Sequence, residues 1–89
     1  MELDDFLAEA SCLINGERQN QYGDIYDSWE RIGKMWAALL DLDYPIEPYM
    51  VGVMLASMKL SRIANSPKHT DSYTDALAYI AGAGELATE

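Results

Sequence analysis

Apolar residues recur every three to four positions along most of this chain, which is the period of an amphipathic α-helix. The first such segment is predicted from Glu2 to Asn15, because Asn15-Gly16 is a strong helix stop. The second is predicted to begin at Asp24, whose carboxylate would cap the helix, with Asp27 three residues later in a variant of the capping box. The alternation that indicates a strand is not seen.

Two further helices are predicted in the second half. The third runs from about Pro48, which suits a first turn because that position needs no amide donor, to Ala64. Its apolar residues lie on several faces, which predicts burial on several sides. The fourth is predicted to begin at Ser72, with Thr70 and Asp71 as alternative caps, and it is rich in alanine and glycine.

Four helices without strands predict an all-α fold, most simply a compact four-helix bundle that forms one domain over residues 1–89. A chain this short buries only about 60–65% of its unfolded surface, so a monomer encloses few positions on every side. We therefore expect a homo-oligomer, in which the third helix hides its remaining apolar faces. The slim fourth helix would permit close approach of a neighbour.

The charge balance is acidic, since 15 Asp and Glu residues against 6 Lys and Arg residues give a net charge of −9. Such a surface repels phosphates, so binding to duplex nucleic acid is not expected. No apolar run approaches the roughly 18–20 residues of a membrane span, and no secretory signal is visible. We expect a cytoplasmic protein with no membrane partner, in which the single cysteine, Cys12, is a packing residue.

The first candidate site lies between the first two helices and combines a cation, an amide, aromatic rings and a carboxylate. Its residues are Arg18, Gln21, Tyr22, Asp24 and Tyr26. A helix N-terminus offers free amide donors to a phosphate, and a tyrosine can stack on a nucleobase. The site is therefore a candidate for a nucleotide or cyclic-nucleotide ligand. The alternative is a capped loop, because the Asp24 carboxylate would already occupy the helix donors.

The second candidate site is cationic. Lys59 and Arg62 lie three residues apart and so share one face of the third helix. One interpretation makes them a phosphate clamp, with Arg62 preferred for its bidentate geometry. The other interpretation pairs them with Asp71 and Asp75, just across the short connection to the fourth helix.

Carboxylates at helical spacing form a third candidate site. Asp27 and Glu30 share one face of the second helix, and Asp71 and Asp75 share one face of the fourth. Two such helices facing each other could hold Mg²⁺ through carboxylate oxygens, with water completing the octahedron. A metal held this way would polarise a diphosphate and orient an attacking water. The alternative is helix capping plus solvated acids, with no cofactor bound.

Three motifs are familiar as a set. They are N-G-E-R-Q-x-Q-Y-G-D at 15–24, M-L-x-x-x-K-x-x-R at 54–62 and H-x-D-S-x-x-D-x-x-x-Y at 69–79. Together they cover most of the chain, which resembles a small protein family of phages and prophages that has no settled function. That resemblance implies a phage-type protein that acts in the cytoplasm of a host cell.

More loosely, the pattern is similar to the MazG-type all-α nucleoside triphosphate pyrophosphohydrolases, which are small oligomeric proteins. Those enzymes hold Mg²⁺ with E-x-x-E and E-x-x-D pairs on adjacent helices. By that resemblance Asp27 and Glu30 would stand for the first pair, and Asp71 and Asp75 for the second. This chain has no E-x-x-E, its second pair is spaced by four residues, and an acid-free third helix separates the pairs.

Three functions fit these observations. The first is a phage-type nucleotide-binding protein, which could sequester a nucleotide signal of host defence and needs cations and aromatic rings but no metal. The second is a Mg²⁺-dependent nucleoside triphosphate pyrophosphohydrolase, which needs at least three converging carboxylates. The third is an acidic inhibitor that blocks a basic surface of a host defence protein and needs only exposed acids.

Overall fold

The described part of the chain folds into four α-helices. The computed structural model describes residues 1–15 and 24–89, and no strand occurs among them. The helices are α1 (Leu3–Asn15), α2 (Ile25–Leu39), α3 (Pro48–Asn65) and α4 (Thr70–Thr88). The predicted all-α class is confirmed, and the predicted helices differ from the observed ones only at their ends.

Two predicted helix starts are confirmed. Asp24 is the N-cap of α2, and its Oδ1 accepts a hydrogen bond of 2.7 Å from the amide of Tyr26. Pro48 occupies the first turn of α3, where its missing N–H leaves no hydrogen bond unmade.

The start of α4 differs from the prediction. His69 is its N-cap residue, so the helix begins at Thr70 rather than at Ser72, and neither Thr70 nor Asp71 is the cap. Ser72 is fully buried in the first turn, where its Oγ lies 2.7 Å from Nδ1 of His69. A serine can satisfy its hydroxyl inside the first turn as well as at a cap, so residue type alone did not set this boundary.

The longest helix, α4, is also the central one. It packs along α3 and along α1, while α2 packs on α3. The rings of Phe6 and Tyr73 meet edge to face with centroids 5.7 Å apart, at the start of both α1 and α4. Near the other end of α1, Ile14 lies beside Gly82 of α4. The two helices therefore run side by side in the same direction.

The core is built around Trp29 of α2, which is only 5% exposed and packs with Val51 and Ala83. Two glycines make room for its indole. A methyl group on Gly52 would overlap the Cζ3 and Cη2 atoms of the ring, and one on Gly82 would lie 2.9 Å from Cη2. Trp29 thereby brings α2 onto the side of α4 that carries Gly82 and Ala83.

Much of the remaining apolar surface is open to solvent. On α3 the exposed apolar residues include Met50, Val53, Met58 and Leu60. The other helices of this chain therefore do not enclose α3 on every side, and the homo-oligomer that the sequence predicts stays a prediction. Among the described residues, no helix has the length and apolar character needed to cross a membrane.

Candidate functional site

A partly buried ion pair joins the two central helices. The Nζ atom of Lys59 on α3 lies 3.1 Å from Oδ2 of Asp75 on α4, and the side chains are 29% and 20% exposed. Among the described residues the other ion pair is Lys34 with Glu30, which has the same length but lies within α2. The Lys59–Asp75 pair is thus the one that crosses between elements.

Asp75 lines a cleft between α1 and α4. The cleft has a volume of about 630 Å³ and is lined by Ala8, Glu9, Cys12, Leu13, Asp71, Thr74 and Asp75. This volume lies within the range of small-molecule sites, which is about 300–1,000 Å³. We call this cavity the α1–α4 cleft.

The polar groups of the α1–α4 cleft are mainly hydrogen-bond acceptors. Glu9 comes from α1, while Asp71 and Asp75 lie one turn apart on α4. The Thr74 hydroxyl donates to the backbone carbonyl oxygen of Asp71 at 3.0 Å and so is already satisfied within the helix. Lys59 compensates the charge of Asp75, and the cleft therefore offers Glu9 and Asp71 to donors on a ligand.

Arg62 lies one turn beyond Lys59 on the same side of α3. It is exposed and takes part in neither ion pair of the described residues. Of the predicted network between two cations and two carboxylates, only the contact of Lys59 with Asp75 forms. The guanidinium of Arg62 remains open to solvent at that end of α3.

The other predicted ligand-binding residues lie elsewhere. Asp24 and Tyr26 line a second cavity, of about 450 Å³, together with Glu85 of α4. Glu85 is 14 residues beyond Asp71 on the same helix, which corresponds to about 21 Å along the axis. Within the described residues the predicted contacts are therefore split between the two ends of α4. The remaining predicted contacts, Arg18, Gln21 and Tyr22, lie outside the described residues.

Tyr26 belongs to a local network on α2 rather than standing free to stack on a base. Its hydroxyl hydrogen-bonds Glu30, and this contact raises the pKa of the phenol above its ordinary value. Lys34 donates to Glu30 at 3.1 Å. That hydrogen bond, followed by the one from Tyr26, lowers the pKa of the Glu30 carboxyl. All three side chains are spaced at four residues, so they follow one ridge of the helix.

The carboxylates predicted to bind magnesium do not assemble. Among the described residues no group of three or more His, Cys, Asp or Glu side chains could hold a metal ion. Glu30 is engaged with Lys34 and Asp75 with Lys59, while Asp27 is exposed. The predicted magnesium site thus gains no support from this geometry.

Of the residues that line the α1–α4 cleft, only Asp71 and Asp75 were sequence candidates. Glu9 and Cys12 lie three residues apart on the same side of α1 and line the cleft. Cys12 is exposed, so the prediction that it is a packing residue is wrong. The three-residue spacing of Glu9 and Cys12 is visible in the sequence and places both on one side of α1. That spacing does not reveal which helix packs against this side.

Comparisons with known proteins place the chain among phage relatives. The family model described as domain of unknown function (DUF6378) matches residues 5–87. The chain is 33% identical over 73 residues to the Gene 55 protein of Mycobacterium phage L5 and 32% identical over 73 residues to that of Mycobacterium phage D29. Each alignment covers 82% of this chain, and the chain spans about half the length of these curated relatives, 46% and 47%. No solved structure matches the chain.

Proposed function

This chain belongs to the family of the domain of unknown function DUF6378, and from that premise we propose that it is a phage-type nucleotide-binding protein. The ligand lies in the α1–α4 cleft, where it is bound and held. Its place of action is the cytoplasm of the host cell, where the protein removes a nucleotide signal of host defence from circulation.

The observation that carries this proposal is the Lys59–Asp75 pair beside the cleft. The pair is partly buried, with side chains 29% and 20% exposed, and because Asp75 lines the cleft it holds the ammonium of Lys59 beside that cleft. The ammonium of Lys59 has three donors, so it can keep its contact with Asp75 while it also donates to a phosphate.

The charged side chains around the cleft set the orientation in which a nucleotide binds. Its phosphate lies toward Lys59 and the exposed guanidinium of Arg62, which are the cations at this end of α3. Its base lies toward Glu9, whose carboxylate accepts hydrogen bonds and therefore favours a base edge with N–H donors. The apolar walls, including Leu13, cover the faces of the ring.

Isothermal titration calorimetry against linear and cyclic nucleotides, with and without Mg²⁺, followed by analysis of the products, tests the proposal. Binding without turnover supports it. Release of pyrophosphate in the presence of Mg²⁺ would favour the MazG-type alternative instead. The absence of binding across the whole panel would overturn the proposal and leave the acidic inhibitor of a basic host protein.

Arg62→Lys is the sharpest variant, because Arg62 is exposed and the change keeps its charge. A lysine loses the bidentate geometry, so affinity for the phosphate should fall by on the order of tenfold, while Tm stays unchanged. Arg31→Lys is the matched control, since Arg31 is also exposed and lies on α2. Equal affinities of the two variants would contradict the placement of the phosphate.

A further inference from the structure

The side of α4 that faces away from Trp29 carries a continuous apolar stripe. Its residues on α4 are Tyr73, Leu77, Ile80, Gly84 and Ala87. We call this stripe, with its flanking residues on α1 and α3, the open face. At its N-terminal end a cavity of about 630 Å³ is lined by Leu3, Phe6, Leu7, Leu60, Ile63, Tyr73, Ala76 and Leu77. Ile80, at the middle of the stripe, is 50% exposed.

The stripe on α4 is free of charge. The charged residues of α4 are Asp71, Asp75 and Glu85. Because successive residues turn by about 100° around a helix, all three project from the side opposite to Ile80. Asp71 and Asp75 line the α1–α4 cleft, and Glu85 lines the second cavity. In a chain of net charge −9, an uncharged stripe repels a second, equally acidic copy less than the charged side of the same helix does.

The spacing and sizes of the stripe residues fit a second copy of the same helix. Their positions alternate by four and three residues, as along the seam of a coiled coil. The first part of the stripe carries the large side chains Tyr73 and Leu77, and the last part carries Gly84 and Ala87. In an antiparallel pair the large part of each helix therefore meets the small part of the other, and Ile80 meets its own copy.

We propose that the open face is a two-fold symmetric homodimer interface in which the α4 helices of the two copies pack antiparallel, with Ile80 at the axis. This is an isologous contact, so one set of residues serves both copies. A helix of 19 residues is about 28 Å long. With flanking helices about 8–10 Å away on either side, the face offers on the order of 500–600 Å² per copy. That is close to the roughly 600 Å² per partner of the smaller stable interfaces.

Light scattering coupled to gel filtration measures the molecular mass in solution and so distinguishes a dimer from a monomer. At about 100 µM chain, where micromolar interfaces are occupied, the wild type should have twice the chain mass of 9.9 kDa. Ile80→Glu should have the single-chain mass, because dimerisation would bury two charges at the axis. Met58→Glu is the control, since Met58 is 65% exposed on α3 and lies outside the open face. Circular dichroism should show all three proteins equally helical.

Disulfide cross-linking tests whether Ile80 lies at the two-fold axis. In a Cys12→Ser background, Ile80→Cys should form a covalent dimer on mild oxidation, whereas Met58→Cys should not. A wild type with the single-chain mass at that concentration would overturn the proposal and leave the open face to another occupant, such as an amphipathic helix. A dimer that survives Ile80→Glu would also overturn it, because the copies would then meet elsewhere.

Discussion

Gly82 and Gly84 lie two residues apart on α4, yet they face different surroundings. A methyl group on Gly82 would lie 2.9 Å from Cη2 of Trp29 and 3.0 Å from Cδ1 of Ile25, both on α2. A methyl group on Gly84 would meet no atom of the described residues within 4 Å. Among these residues, packing therefore requires the first glycine and not the second.

The difference separates two uses of small residues in one helix. On the side toward α2, glycine lets an indole ring lie against the helix backbone, and buried alanines such as Ala83 complete the contact. On the open face, Gly84 and Ala87 leave a shallow surface that the described residues do not fill. A contact that requires those small residues would have to come from outside residues 1–15 and 24–89.

The largest effect is expected from Trp29→Ala, which removes the side chain that the packed side of α4 surrounds. Truncation of a buried tryptophan leaves a cavity, so the free energy of unfolding should fall by about 3–5 kcal/mol. On so small a domain that loss leaves little stability. Urea denaturation followed by circular dichroism measures it. Met35→Ala, at an exposed site of α2, is the control and should cost far less.

Helical periodicity predicts much of this fold, because spacing within one helix is a local property. The Asp24 cap and the Pro48 start were both predicted, and each depends on a residue within one turn of the helix end. The two sides of α4 were not distinguished. Gly82 and Gly84 look alike in the sequence, and only the position of Trp29 gives them different roles.

The candidate site was less predictable for the same reason. Sequence spacing places Lys59 and Arg62 on one face, but the rotation of α3 against α4 decides which cation reaches Asp75. Glu9 shows the limit most clearly, since its contribution to the α1–α4 cleft depends on how α1 lies against α4. Contacts between helices that are distant in sequence need the packing of the whole chain.

A direct test of the two sides places alanine at three glycines. Gly52→Ala and Gly82→Ala should each destabilise the protein by about 1–3 kcal/mol, Gly52 more, because the new methyl group presses on the Trp29 ring. Gly84→Ala should instead stabilise it by about 0.5–1 kcal/mol through helix propensity. Urea denaturation in the Ile80→Glu background keeps self-association out of the measurement. Equal changes in unfolding free energy for Gly82→Ala and Gly84→Ala would show that the packed side and the open face of α4 do not differ.

The ion pairs Lys59–Asp75 and Lys34–Glu30 have the same N–O distance, 3.1 Å, but differ in exposure to solvent. Lys59→Met leaves the carboxylate of Asp75 largely withdrawn from water without its partner and should cost about 1–2 kcal/mol of unfolding free energy. Lys34→Met is the matched control. Its pair is 62% and 40% exposed, so stability should not change measurably. No loss for Lys59→Met, or one no larger than for Lys34→Met, would mean that the contact between helices does not stabilise the fold.

The smallest effect concerns Glu30, which lies on the exposed ridge of α2 next to buried Trp29. Hydrogen bonds from Lys34 and then Tyr26 hold the pKa of Glu30 below its ordinary value of 4.5. The folded state therefore binds this proton less readily than the unfolded chain, and the stabilisation is present above pH 4.5 and lost as pH falls through the lowered pKa. In an NMR titration of the side-chain carboxyl, Lys34→Met should raise the pKa of Glu30 more than Tyr26→Phe does. Lys68→Met, at an exposed site beyond α3, should leave it unchanged, and an equal shift there would show that net charge rather than the Lys34 contact sets this pKa.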